Sequence, residues 1–178
     1  MSDVWDRLAS LPPVPSPEGM LAAVLAPLYQ DESGDVRMIL TVRPEHMNTH
    51  AGDVVFPGGR IEEGDTDPVA TAVREAEEEV GIAPSSVTVL GGLKPVAPGR
   101  PEMIIVPVVA RVTRPVEFVL QEDEVAAVLE PTIGELLDES RWELRDFHSH
   151  PLWFFEFSEA TLWGATAFMV RELLSYLR

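Results

Sequence analysis

GGRIEEGDTDPVATAVREAEEEVGI, residues 58–82, places three consecutive glutamates, Glu77 to Glu79, just before Gly81 and carries two basic residues, Arg60 and Arg74. Asp67 suits an N-cap, Pro68 the first helical position and Gly81 the residue just past the end, so a capped helix is predicted between them. At about 100° per residue, Val69, Ala72, Val73, Ala76 and Val80 fall on one face, within an arc of about 100°, and that face is expected to pack on a sheet. Glu75, Glu78 and Glu79 stand at i, i+3 and i+4, which gathers their carboxylates on a different side. Like charges held that close raise one another's pKa unless a cation sits between them. Two readings follow: a solvated acidic face, or a seat for a hard divalent cation that takes oxygen ligands. The run just before it, GDVVFPGG, reads as a strand ending in a glycine loop that lets backbone approach a ligand, and it favours the second reading.

Outward from this segment, Val4, Trp5 and Leu8 form a short amphipathic start, and the prolines of LPPVPSP then exclude helix, so residues 1–18 read as a helix with a proline-rich lead-in. MLAAVLAPLY and VRMILTV flank QDESGD as a predicted hairpin. SVTVLGGL and MIIVPVVARV read as further strands, with Pro107 implying an edge position or a bulge. Thr132 and Glu135 have capping-box spacing at the start of a helix. WELRDF and LWFFEF form a second hairpin around HSHP, and a helix with Trp163, Phe168 and Leu173 in core packing is expected from about Thr161 onward. Strands and helices mix without strict alternation, which points to an α+β fold: a mixed sheet with helices packed on it, in one domain spanning residues 1–178.

The chain has 178 residues, 13 basic against 30 acidic, and a formal net charge of -17. With a single lysine, Lys94, it lacks the cationic stripe that a polyphosphate backbone requires, so no nucleic-acid partner is expected. The absence of cysteine excludes disulfides, thiolate zinc sites and cysteine nucleophiles. No apolar run approaches the roughly twenty residues that span a bilayer and no signal core is seen, so a cytoplasmic location and no membrane partner are expected. His46 and His50 share the spacing of a zinc helix, but Pro44 before them and Ala51-Gly52 after them argue against helix; with His148 and His150 they read as polar loop residues.

The second half of the opening segment, REAEEEVGI, resembles the Nudix box, G-x5-E-x7-R-E-U-x-E-E-x-G-U, through Arg74, Glu75, Ala76, Glu78, Glu79, Gly81 and Ile82. The first half departs from it, with Asp65 where Glu is usual and one extra residue before Arg74. That spacing is similar to the coenzyme A pyrophosphatase branch of the family, as is the upstream block of Thr41, Arg43, His50, Ala51, Gly52, Val54, Phe56, Pro57, Gly58 and Gly59. Asn48 stands where the branch typically has Arg.

The resemblance implies a Nudix-type α-β-α sandwich and a metal-dependent hydrolase that cleaves the diphosphate of coenzyme A or its thioesters, using Mg²⁺ or Mn²⁺. The alternatives are another nucleoside diphosphate derivative such as ADP-ribose, or a catalytically silent binding module. It implies Glu75 and Glu79 as metal ligands, Glu78 as a third ligand or a base acting through water, and the Gly59 carbonyl as a further ligand. Arg74 is implied to pair with a loop carboxylate and hold the helix in register. Outside the box, Glu124 is the candidate general base, against the alternative of a solvated loop residue. Arg43, His50, Lys94 and Arg100 are the candidate substrate contacts, because a coenzyme A substrate adds a 3′-phosphate that arginine binds well; for each, surface duty is the alternative. A homodimer is expected from family habit alone.

Overall fold

The computed structural model describes residues 3–99 and 102–178. In chain order its elements are α1 (Val4–Leu8), β1 (Met20–Gln30), β2 (Val36–Met38), β3 (Leu40–Val42), β4 (Val54–Val55), β5 (Gly58–Arg60), α2 (Pro68–Val80), β6 (Val87–Gly92), β7 (Ile104–Val112), β8 (Ala127–Leu129), α3 (Ile133–Leu137), β9 (Trp142–Phe147), β10 (His150–Glu156), β11 (Thr161–Trp163) and α4 (Gly164–Ser175).

β1 and β7 pair in parallel, from Met20 opposite Ile104 to Leu28 opposite Arg111, at the centre of a five-stranded sheet. β2 and β5 join β1 antiparallel, and β6 joins β7 antiparallel, so the sheet is mixed. Two three-stranded antiparallel sheets, β4-β3-β8 and β11-β10-β9, complete the fold. The apolar run of β1 is nearly continuous because both of its faces are covered. Ala26 and Leu28 pack toward Trp142, Phe155, Met169 and Leu173, whereas Ala23, Leu25 and Tyr29 pack toward Ala72, Ala76 and Val80. Alternate side chains of one strand thus serve two cores, with α4 on one side of the sheet and α2 on the other. This is the α-β-α sandwich. Among the described residues no helix is long and apolar enough to cross a membrane.

Several local expectations are corrected. VRMILTV is divided at Ile39: β2 stays with β1, while β3 enters the β4-β3-β8 sheet. The β1 ladder reaches only to Leu28 opposite Met38, next to Pro27, which has no N–H to donate. Pro107 lies in the interior strand β7 rather than at an edge. Its carbonyl accepts from Leu93 N at 3.1 Å, so its nitrogen also points to the β6 side, where the register ends at Gly92 opposite Val108. The PGG loop is itself a strand: Gly58 and Gly59 pair with Val24 and Ala23. A Cβ on Gly58 would fall 2.5 Å from the Ala23 carbonyl oxygen, so only glycine lets the two backbones meet there. Finally, Thr161–Trp163 pairs with β10 as a strand, and α4 starts only at Gly164. The capping box of Thr132 and Glu135 and the two hairpins form as the sequence predicts.

Candidate metal centre

α2 has the predicted ends: the Asp67 carboxylate accepts from Ala70 N at 2.8 Å, Pro68 opens the first turn, and Gly81 closes the helix at φ 77°. Packing Ala72, Ala76 and Val80 on the sheet sets the helix rotation. That rotation turns Glu75 and Glu79, one turn apart, into the protein, where they are 8% and 6% exposed. Glu78 is turned outward and its side chain is about half exposed.

Carboxylate oxygens of Glu75, Glu79 and Glu124 lie within 4.8 Å of one another. Glu124 reaches the helix on a turn closed by Glu124 N and Val125 N, both donating to the Gln121 carbonyl at 2.9 Å. Gln121 N in turn donates to the Glu79 carbonyl at 3.0 Å, so the turn is tied to the last turn of α2.

Burial, and then the charges of Glu75 and Glu124, push the Glu79 carboxyl from 4.5 up to about 8, while the Gly58 N–H donating to Glu79 Oε2 at 3.3 Å acts in the opposite direction. Burial raises Glu75 as well, with the Arg74 guanidinium pulling against it. The backbone of β5 lies directly over this pair: a Cβ on Gly59 would sit 2.4 Å from Glu75 Oε1. Three hard oxygen donors, two of them buried at a cost in free energy, fit a divalent cation.

Arg74 is occupied on the flank of the trio. Its Nε and Nη2 fork onto the two oxygens of Asp65 at 3.1 and 2.9 Å, Nη1 reaches Glu75 at 3.1 Å and Glu78 at 3.2 Å, and Nη2 also donates to the Arg60 carbonyl. Glu62 lies 3.6 Å from Nη1. The Arg74 fork, with Thr71 Oγ1 and Glu62 N also donating to Asp65, holds the Asp65 carboxyl far below the usual carboxylate range. Asp65 therefore meets Arg74 across the altered spacing of the box, and the guanidinium ties the loop to the helix.

Arg43 follows β3. Its N–H donates to Asp53 O at 2.9 Å, and Ala126 N donates to Val42 O at 2.8 Å, so Arg43 stands between the 44–53 loop and the turn that carries Glu124. His50 Nδ1 is 3.1 Å from Asp53 Oδ2. Lys94 is elsewhere: its backbone N–H donates to Glu172 of α4, on the sheet face opposite α2. Arg100 lies outside the described residues. His148 occupies the β9-β10 turn, with φ 48°, and His150 the adjoining strand end.

Asp53 and Trp163 carry no signal in the sequence, which assigns Trp163 to core packing. The Trp163 indole N–H donates to Asp53 Oδ1 at 3.0 Å, across a separation of 110 residues. Nothing local could have paired them.

A family profile described as the NUDIX domain matches residues 20–152. A protein of Escherichia fergusonii described as uncharacterized Nudix hydrolase NudL is 39% identical over 156 residues, covering 85% of this chain and 80% of that protein. Its counterpart from Escherichia coli K12 is 38% identical over the same span. Among solved structures, the Nudix hydrolase RenU of M. smegmatis superposes with a TM-score of 0.56 at 23% identity, covering 70% of this chain and 81% of that one. An Ap4A hydrolase of C. elegans in a binary complex gives 0.59 at 15% identity, covering 88% and 97%. At those identities the structures attest the fold alone.

Proposed function

The chain belongs to the Nudix family and is a hydrolase of that family, acting on small nucleotide substrates; from this premise we propose that it cleaves the diphosphate bond of coenzyme A or its thioesters, giving 3′,5′-ADP and 4′-phosphopantetheine or its acyl form. The observation that carries the diphosphatase reading is the trio of Glu75, Glu79 and Glu124 beneath the glycine strand. The coenzyme A assignment is supported by the block from Thr41 to Gly59 and by the box spacing that sets Asp65 against Arg74.

In this reading residues 1–178 act as one cytoplasmic domain that uses Mg²⁺ or Mn²⁺. Such a cation, when bound, neutralises diphosphate charge and lowers the pKa of the water it holds. Glu75 and Glu79 would hold it from the helix and the Gly59 carbonyl from the strand, with the Glu124 carboxylate facing them from the turn. Glu78 spends its carboxylate on Arg74 and is half exposed, so Glu124, set against Glu75 and Glu79, is the better candidate for accepting the proton of the attacking water. Arg74 keeps Glu75 oriented, and Arg43 and His50 are the substrate contacts nearest this end of β3. Lys94, on the other sheet face, is left out of the set.

The test compares hydrolysis of coenzyme A, ADP-ribose and dephospho-coenzyme A, with Mg²⁺ or Mn²⁺, by wild type and Glu79→Gln. Metal-dependent cleavage of coenzyme A that falls at least about a hundredfold in the variant is expected, since a lost metal ligand forfeits several kcal/mol in the transition state. Faster cleavage of ADP-ribose would overturn the substrate; cleavage of nothing would make the trio part of a binding module.

A further inference from the structure

The 43–53 loop contains a guanidinium that the protein itself leaves short of acceptors. Arg37, Arg74, Arg114, Arg145 and Arg171 each pair with a carboxylate. Arg43 forms no ion pair among the described residues: its Nη2 reaches the Thr49 carbonyl at 3.4 Å, and its Nε is buried with no partner. A buried charged donor without an acceptor is costly, and the deficit is removed by a ligand rich in anionic oxygens.

His50 stands in the same loop, with φ 55°, a backbone region unusual for a side chain of this size. It is held there by Asp53 N donating to the His50 carbonyl at 3.1 Å and by the Asp53 carboxylate facing Nδ1 at 3.1 Å. The imidazole is otherwise 70% exposed, so Nε2 is open to a ligand. The second oxygen of Asp53 takes the Trp163 indole N–H, and Trp163 is itself fixed between Phe154, stacked at 5.6 Å, and Phe147, at 5.0 Å.

We propose that Arg43 and His50 form a phosphate subsite separate from the carboxylate trio, and that Asp53 and Trp163 are the positioning residues that build it. The inference rests on the diphosphatase reading. With Nδ1 facing Asp53, the exposed Nε2 edge of His50 is turned toward a ligand, and the unfilled Arg43 donors supply the rest of the cradle for a phosphate. The subsite is not the trio by another name. Glu124's turn adjoins β8, whereas Asp53 precedes β4, on the other side of β3. Asp53 and the Glu124 turn thus flank β3 on opposite sides, about two strand spacings or about 10 Å apart, with Arg43 at the end of β3 between them. The group assigned to this subsite is a phosphomonoester, which in the proposed substrate is the 3′-phosphate.

The test has two arms. In metal-free protein, the side-chain NMR resonances of His50 are followed while 3′,5′-ADP or 5′-AMP is added to wild type, Asp53→Asn and Trp163→Phe. Trp163→Phe keeps the aromatic packing and removes only the donor. His50 is expected to respond to 3′,5′-ADP at concentrations about tenfold below those needed with 5′-AMP, and both variants are expected to erase the difference. In the second arm, the ratio of kcat/KM for coenzyme A over dephospho-coenzyme A is expected to fall about tenfold in each variant, through KM. Equal losses on both substrates would reduce Asp53 and Trp163 to a merely structural role and sink the proposal, as would a His50 resonance indifferent to the 3′-phosphate. If coenzyme A is not hydrolysed but His50 discriminates the two nucleotides, the substrate reading fails and the subsite stands; if it is hydrolysed and the ratio is unmoved, the reverse holds.

Discussion

Replacing Glu79 by glutamine should stabilise the metal-free protein at alkaline pH while removing its activity. Glu79 is 6% exposed, and burial with the charges of Glu75 and Glu124 carries its carboxyl from 4.5 to about 8. A folded-state pKa above the unfolded value means that the stability associated with the protonated group is fully present below about 4.5. It is lost progressively as pH rises through about 8. At about 1.4 kcal/mol per tenfold change in proton affinity, the rise corresponds to a ceiling of about 5 kcal/mol. Glu79 shares this site with the raised carboxyl of Glu75, so somewhat less than half of that ceiling, roughly 2 kcal/mol, is assigned to Glu79.

Glutamine keeps an oxygen for the Gly58 N–H and never ionises, so the variant escapes this loss. For a chain of this length 1 kcal/mol moves Tm by about 2–4 °C, which predicts a Tm gain of about 5 °C for Glu79→Gln at pH 8.5 in EDTA. Little difference is expected near pH 5. Thermal unfolding at a series of pH values, with EDTA and again with Mg²⁺, measures this directly. Mg²⁺ should raise the Tm of the wild type at pH 8.5 and leave the variant almost unmoved. A variant no more stable than wild type at pH 8.5 in EDTA, or one that gains equally at pH 5, would refute the electrostatic account of the site.

Three further perturbations probe the surroundings of the trio. Gly59→Ala places a Cβ 2.4 Å from Glu75 Oε1, so β5 or the carboxylate must shift; activity should fall by about 10- to 100-fold, since a misplacement of about 1 Å has that scale of effect, and a variant with wild-type turnover would remove the steric argument. Arg74→Lys keeps the charge but cannot fork onto Asp65, and chemical denaturation should show a loss of about 1–3 kcal/mol, with an unchanged midpoint arguing against the fork as the tie between loop and helix. Asp67→Ala removes the cap on Ala70 N and should cost about 1 kcal/mol, or about 3 °C in Tm, with metal-dependent activity largely kept.

Much of the site was legible in the order of residues alone. Asp67, Pro68 and Gly81 mark the ends of α2 through chemistry confined to a few neighbouring peptide units, and the i, i+4 spacing makes Glu75 and Glu79 neighbours on any helix. The Nudix box, the mixed sheet and its helical layers follow from patterns of the same short range. What spacing could not decide is which way the helix is rolled. Glu78 is as near to Glu75 in sequence terms as Glu79 is, yet packing Ala72, Ala76 and Val80 on β1 and β7 turns Glu79 inward and leaves Glu78 to Arg74 at the surface.

Long-range contacts were beyond any local rule. Glu124 is singled out in the sequence as a candidate base, but its approach to Glu75 and Glu79 is fixed only when the Gln121 amide meets the Glu79 carbonyl. Asp53 and Trp163 meet only because β11 pairs with β10, beside the sheet that holds β4. Which distant groups become neighbours is set by how the apolar faces of all the elements are buried together, a property of the whole packed chain rather than of any segment.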